Sequence, residues 1–191
     1  MKIFIIIIVI LAVGIGAFVV LNRLRAKVKP ATDRDKAVEA CLGLRNQILT
    51  MDPTQAGIQD FVGTNQVWGV VMETGFPEAT VTLVALADGA ASLYFSSGGG
   101  IIGGGGHETV RKASVQMSQL ADKFVSSCSP ATEFPFPKQG ETVFYILTKK
   151  GKVTAKAKEN ELGEKKHQLS PLFYAGQDVI TQLRLVTEKI K

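Results

Sequence analysis

The sequence predicts an α+β chain: an N-terminal transmembrane helix followed by one domain of order α-β-β-β-α-β-β-α with an antiparallel sheet. Three observations predict it. Residues 3–21 form an apolar run of 19 residues without a charge. At ~1.5 Å per residue this makes about 28 Å of helix, close to the ~30 Å hydrocarbon core of a bilayer. Two β-rich runs, 80–87 and 92–96, flank Asp88-Gly89. Asp-Gly accepts the positive φ that a type I′ hairpin turn requires. Val110, Ala113, Met117, Leu120, Ala121 and Phe124 then recur at spacings of three and four. Those spacings lay one apolar stripe along a helix.

At 191 residues the chain has room for one domain and an appendage. The division read here is 1–22 transmembrane anchor, 23–31 basic juxtamembrane linker and 32–191 soluble α+β domain. The net charge of +5 comes from 22 Lys and Arg against 17 Asp and Glu. Lys2, Arg23, Arg25, Lys27 and Lys29 flank the anchor, and without them the domain is neutral. Neutrality argues against a nucleic-acid partner. The basic flank suits a membrane surface and places the C-terminal domain on the cytoplasmic side of the inner membrane. A cleaved signal peptide fits less well, because the apolar run outlasts an ordinary h-region and no A-x-A site follows. Ala12-x-x-x-Gly16 offers a small-residue face for helix packing.

In order, the domain opens on a helix from Thr32 to about Met51, with Val38, Cys41, Leu42, Ile48 and Leu49 on one face; Asp52-Pro53 stops it. Residues 54–66 read as loop. Residues 67–73 are a first strand, and the hairpin adds two more. The central helix starts at His107-Glu108 and ends near Ser126. Residues 129–140 carry Pro130, Pro135 and Pro137, an extended connection whose Pro-Phe-Pro packs on the domain or meets a partner. Residues 143–148 are strand four. In strand five Val153, Ala155 and Ala157 alternate with Thr154, Lys156 and Lys158, giving one buried face and a lysine-protected edge. Ser170-Pro171 caps the last helix, whose stripe is Leu172, Phe173, Val179, Ile180, Leu183, Val186 and Ile190. Cys41 and Cys128 stand apart in no C-x-x-C, and Cys41 reads as a small core residue.

The sharpest functional candidate is the loop Gly98, Gly99, Gly100, Gly103, Gly104, Gly105, Gly106 with His107, Arg111 and Lys112. A glycine turn opening a helix presents backbone N–H groups and a positive dipole end to an anion, and the two cations lie one turn in. No Gly-Lys-Ser/Thr follows, and the G-x-G-x-x-G match comes after a hairpin instead of the first strand of a βαβ unit. Glycines serve equally where backbone crowds backbone or where a partner docks. His107-Glu108 lacks the second histidine of H-E-x-x-H, and His107 and His167 lie 60 positions apart. No nucleophile elbow and no acid/base pair occurs, so no cofactor, metal or catalytic residue is assigned. Residues 46–110 hold no Lys or Arg, while Lys149, Lys150, Lys152, Lys156, Lys158, Lys165 and Lys166 crowd a later stretch. These are two solvated faces or two complementary patches.

The element order resembles the fold of type III secretion chaperones, which implies a small partner-binding α+β domain. Leu93-Tyr94-Phe95-Ser96-Ser97-Gly98-Gly99-Gly100-Ile101-Ile102-Gly103-Gly104-Gly105 together with Pro171-Leu172-Phe173-Tyr174-Ala175-Gly176-Gln177-Asp178-Val179-Ile180-Thr181 resembles an uncharacterised family of bacterial proteins, across residues 67–185. That resemblance implies a bacterial source and a defined domain. The expectation is a membrane-tethered interaction or assembly module. It would dock a protein partner or a second copy through a sheet face or the 98–106 loop. The alternative is an anion- or nucleotide-binding protein built on that loop.

Overall fold

The computed structural model describes residues 32–58 and 66–188. Contacts divide the chain into Met1–Asp33 and Arg34–Lys191, and the elements below, α1 from its second residue on, belong to the latter. Helix α1 (Asp33–Thr50) ends before Asp52-Pro53, where Asp52 and Gln55 accept each other's backbone N–H at 2.9 Å. Seven strands follow among the described residues: β1 (Val67–Gly75), β2 (Thr80–Leu86), β3 (Ala91–Phe95), β4 (Gly100–Ile101), β5 (Ser129–Pro130), β6 (Glu141–Thr148) and β7 (Gly151–Lys158). They form one sheet in the order β4-β3-β2-β1-β6-β7-β5, with every strand pair antiparallel. The 3-10 turn Gly104–Gly106 leads into α2 (Glu108–Ala121), which tightens into a 3-10 stretch over Asp122–Ser127. Helices α3 (Glu159–Gly163) and α4 (Ser170–Glu188) close the chain.

β1 lies at the centre and all nine of its residues are buried. Side-chain alternation divides the core between the two faces. Val70 and Met72 point with Leu83, Leu93, Phe144 and Ile146 toward α2 and α4. Trp68 and Val71 point with Val84, Tyr94, Val143, Tyr145 and Leu147 toward α1. The register shifts between Val67 and Gly69, so Trp68 sits in a bulge on the α1 side. The β2–β3 hairpin forms at Asp88-Gly89 as read, but by a different turn. Gly89 alone has positive φ (93°), and its N–H donates to the Leu86 carbonyl at 3.0 Å. That is a type I turn followed by a left-handed glycine, the three-residue solution instead of type I′. Ser114 of α2 selects it by bonding to Leu86 N–H and to the Leu86 and Ala90 carbonyls.

The predicted architecture needs correction. The described domain is α+β with an antiparallel sheet, but the sheet has seven strands, not five, and a short helix, α3, precedes the last one. β4 and β5 are two residues each, too short to carry a periodic signal, and exist only because they pair with β3 and β7. The membrane-spanning helix has no counterpart: among the described residues no helix is long and apolar enough to cross a membrane. The run 3–21 that suggested it, with Lys2, Arg23, Arg25, Lys27 and Lys29, lies outside the described residues.

Candidate functional site

The glycine loop forms one edge of the sheet. Gly100 begins β4, and a Cβ there would collide with the Leu93 carbonyl oxygen across the ladder. Gly104 is buried, and a Cβ there would run into Leu183 of α4. Gly98 and Gly99 lie under α1, where Cys41 donates its S–H to the Gly99 carbonyl at 3.3 Å. Gly105 passes against the Ala90 backbone, while Gly103 and Gly106 face open space. His107 takes the N-cap position of α2 without a side-chain cap bond. Arg111 is held by the Glu108 carboxylate at 2.8 and 3.0 Å, so an acid stands beside the cation an anion would need; Lys112 is exposed next to it. The loop residues are thus brought together, and most of the glycines are taken up in packing. His167 belongs to the opposite edge, beside β7, in the turn before α4, where its Nδ1 accepts the Leu169 N–H at 3.1 Å. Among the described residues no three His, Cys, Asp or Glu gather into a metal-holding group. Both cysteines are free.

The sheet also separates the two charge-biased stretches. Asp88 and Glu108 lie toward the β3–β4 edge, and Lys149 to Lys158 follow β7. There the structure supplies a feature that sequence reading missed. β5 pairs with β7 only at Val153 and Thr154, so 155–158 have no strand on their outer side. A groove of about 700 Å³ opens beside Thr154, Ala155 and Lys156. One wall is the proline-rich connection, with Pro135 and Phe136; the other is the turn at His167 to Leu169.

The proline-rich wall is anchored from below by a buried ion pair. Arg45 of α1 reaches Glu73 of β1 in a two-pronged contact at 2.6 Å for each bond, and Glu73 is fully buried. Thr82 donates to the same carboxylate at 2.7 Å. The guanidinium also donates to the Phe134 carbonyl at 2.9 Å and lies 3.9 Å from the Phe136 ring centroid. Tyr145 donates to the Pro135 carbonyl at 2.7 Å and meets Phe134 edge to face. The three consecutive loop residues are therefore gripped by a fixed charge, a phenol and a ring contact. A carboxylate inside an otherwise apolar strand was the available signal, since a fully buried acid requires a cation and hydrogen-bond donors.

Burial raises the Tyr145 phenol to about 12; the Glu73 charge adds to the rise and Arg45 opposes it. A raised folded value means that the folded chain holds this proton more tightly than the unfolded chain, whose tyrosine titrates near ~10. The contribution to stability is constant below about pH 10 and lost as pH rises through the folded value. An ultraviolet absorbance titration should therefore show a phenolate step near 12 that disappears in Tyr145→Phe. A step for Tyr145 at the ordinary value would mean that its phenol is open to water.

No protein-family model, curated protein or solved structure matches the chain.

Proposed function

We propose that the domain is a protein-interaction module that takes up an extended segment of a partner as an added strand along β7. The observation that carries this is the uncovered half of β7 beside an anchored groove. Strand addition draws affinity from main-chain hydrogen bonds and specificity from alternate side chains. Neither a sheet face nor the glycine loop supports docking as well. Over β1 both sheet faces are covered by helices, and Gly98, Gly100, Gly104 and Gly105 of the loop are already crowded by neighbouring atoms. The absence of an assignable acid/base pair in the sequence favours this reading over an enzyme. A membrane location is a separate part of the proposal and rests on the apolar run 3–21 and its basic flank alone. Cell fractionation with alkaline carbonate washing tests that part.

The interaction itself is tested by selecting displayed random heptapeptides on the full chain and mapping the bound state by amide hydrogen exchange. Protection of the Lys156 and Lys158 amides is expected. Protection confined to 98–106 would transfer the function to the glycine loop. A selection that yields no binder would remove the interaction reading.

A further inference from the structure

We infer that the segment taken up along β7 alternates acidic with apolar residues, an inference that rests on the strand-addition reading above. The backbone direction follows from one bond: the Ala131 N–H donates to the Lys152 carbonyl, so the even-numbered residues of β7 turn their N–H and C=O groups outward. Lys156 therefore presents both groups beyond the end of β5, and Lys158 its N–H; as N-cap of α3, Lys158 turns its carbonyl into the first helical turn. Their side chains share the face that carries Lys152 and Thr154, while Val153, Ala155 and Ala157 face the core under α2 and α4. A residue opposite Lys156 or Lys158 on an added strand comes within about 4.5–5.5 Å of it, Cβ to Cβ, on the lysine face. The residues between fall on the other face, beside Ala155 and Ala157.

The charges already present do not satisfy these lysines. Glu141 is the cross-strand partner of Lys158, and its carboxylate stands 4.0 Å from the Lys156 ammonium, whose side chain is 69% exposed. The ion pair goes to Lys156; Lys158 has the carboxylate only as a cross-strand neighbour. On the loop wall Glu133 and Lys138 offset each other. Carboxylates at alternate positions of an incoming strand supply what is missing, and apolar residues between them meet the half-buried Ala155 and Ala157. A second copy of β7 fits poorly, because antiparallel pairing of the two edges sets lysine against lysine.

The test uses the full chain and three labelled heptapeptides that alternate valine with glutamate, threonine or lysine. Fluorescence anisotropy reads affinity, and amide exchange reads position. The glutamate peptide is expected to bind about tenfold more tightly than the threonine peptide. It should weaken as salt rises from about 0.05 to about 0.5 M and protect the Lys156 amide. The lysine peptide should not bind. In the double variant Lys156→Glu, Lys158→Glu, with an unchanged melting curve, the order of the glutamate and lysine peptides should reverse. Equal binding of the glutamate and threonine peptides, both protecting Lys156, overturns the charge inference and leaves strand addition standing. Glutamate-peptide binding that protects only residues away from β7 overturns both, as does no binding by any peptide.

Discussion

Replacing Arg45 by methionine is expected to cost about 3–5 kcal/mol, because it strands the Glu73 carboxylate in a site closed to water. Glu73 has no exposed surface, and its hydrogen-bond partners are two prongs of Arg45 and the Thr82 hydroxyl. Removing the cation leaves one hydroxyl donor for a full charge. The carboxylate must then protonate or draw water in. Urea unfolding at pH 7 measures the effect as a lower midpoint at constant slope. The double variant Arg45→Met, Glu73→Leu is the informative control. It takes both charges out of the interior, so most of the loss should return. Recovery should fall short of complete, because Thr82 and the Phe134 carbonyl lose their partners as well. Arg45→Lys should not substitute, since one ammonium cannot span both carboxylate oxygens and the Phe134 carbonyl. A cost for Arg45→Met within about 0.5 kcal/mol, the range of an ordinary surface change, would mean that water reaches the pair. The same variant also releases the wall of the β7 groove. Peptide binding should therefore weaken in Arg45→Met even at temperatures where the domain stays folded.

Trp68→Ala should cost a similar amount, about 3–5 kcal/mol, through the cavity it leaves and the lost apolar burial. The ring stands beside Gly69 at the start of the central strand. It is 1% exposed, and its indole N–H donates to the Thr148 carbonyl at 3.3 Å. The bulge explains how both residues are accommodated. Trp68 and Gly69 each turn toward α1, and a Cβ on Gly69 would sit 2.6 Å from a Leu86 methyl. Small and large residues thus share one stretch of strand face. Circular dichroism must follow the melt, because Trp68 is the single tryptophan. Trp68→Phe should lose less, since most of the ring volume remains. A loss below about 1 kcal/mol for Trp68→Ala would show that α1 collapses into the gap, and the spread of measured cavity costs reflects such relaxation.

The central hairpin, the strand at 67–73, the strand at 143–148 and the three long helices were legible because each leaves a local mark: a turn dipeptide, a short unbroken apolar run, or an apolar stripe every three to four residues. The glycine loop was legible as a landmark but not as a role. Gly100 is required by the Leu93 carbonyl on the neighbouring strand and Gly104 by Leu183 of α4, contacts that leave no mark in residues 98–106 themselves. The proline-rich stretch was read as packing on the domain or meeting a partner. Its grip by Arg45 and Tyr145 depends on α1 lying over the same sheet face, a contact between positions 89 apart for Arg45 and Phe134.

The sequence by itself determined the three long helices and the five longer strands, and that one face of β7 is wet. Those properties follow from the order of polar and apolar side chains along a short piece of chain. Only the tertiary structure decided that β6 joins β1 at the centre, that Glu73 finds Arg45, and that β5 stops after two residues of contact with β7. These are matters of which segments become neighbours. A hydrogen-bonded edge or a buried charge pair is a property of two distant segments at once, so neither segment carries it alone.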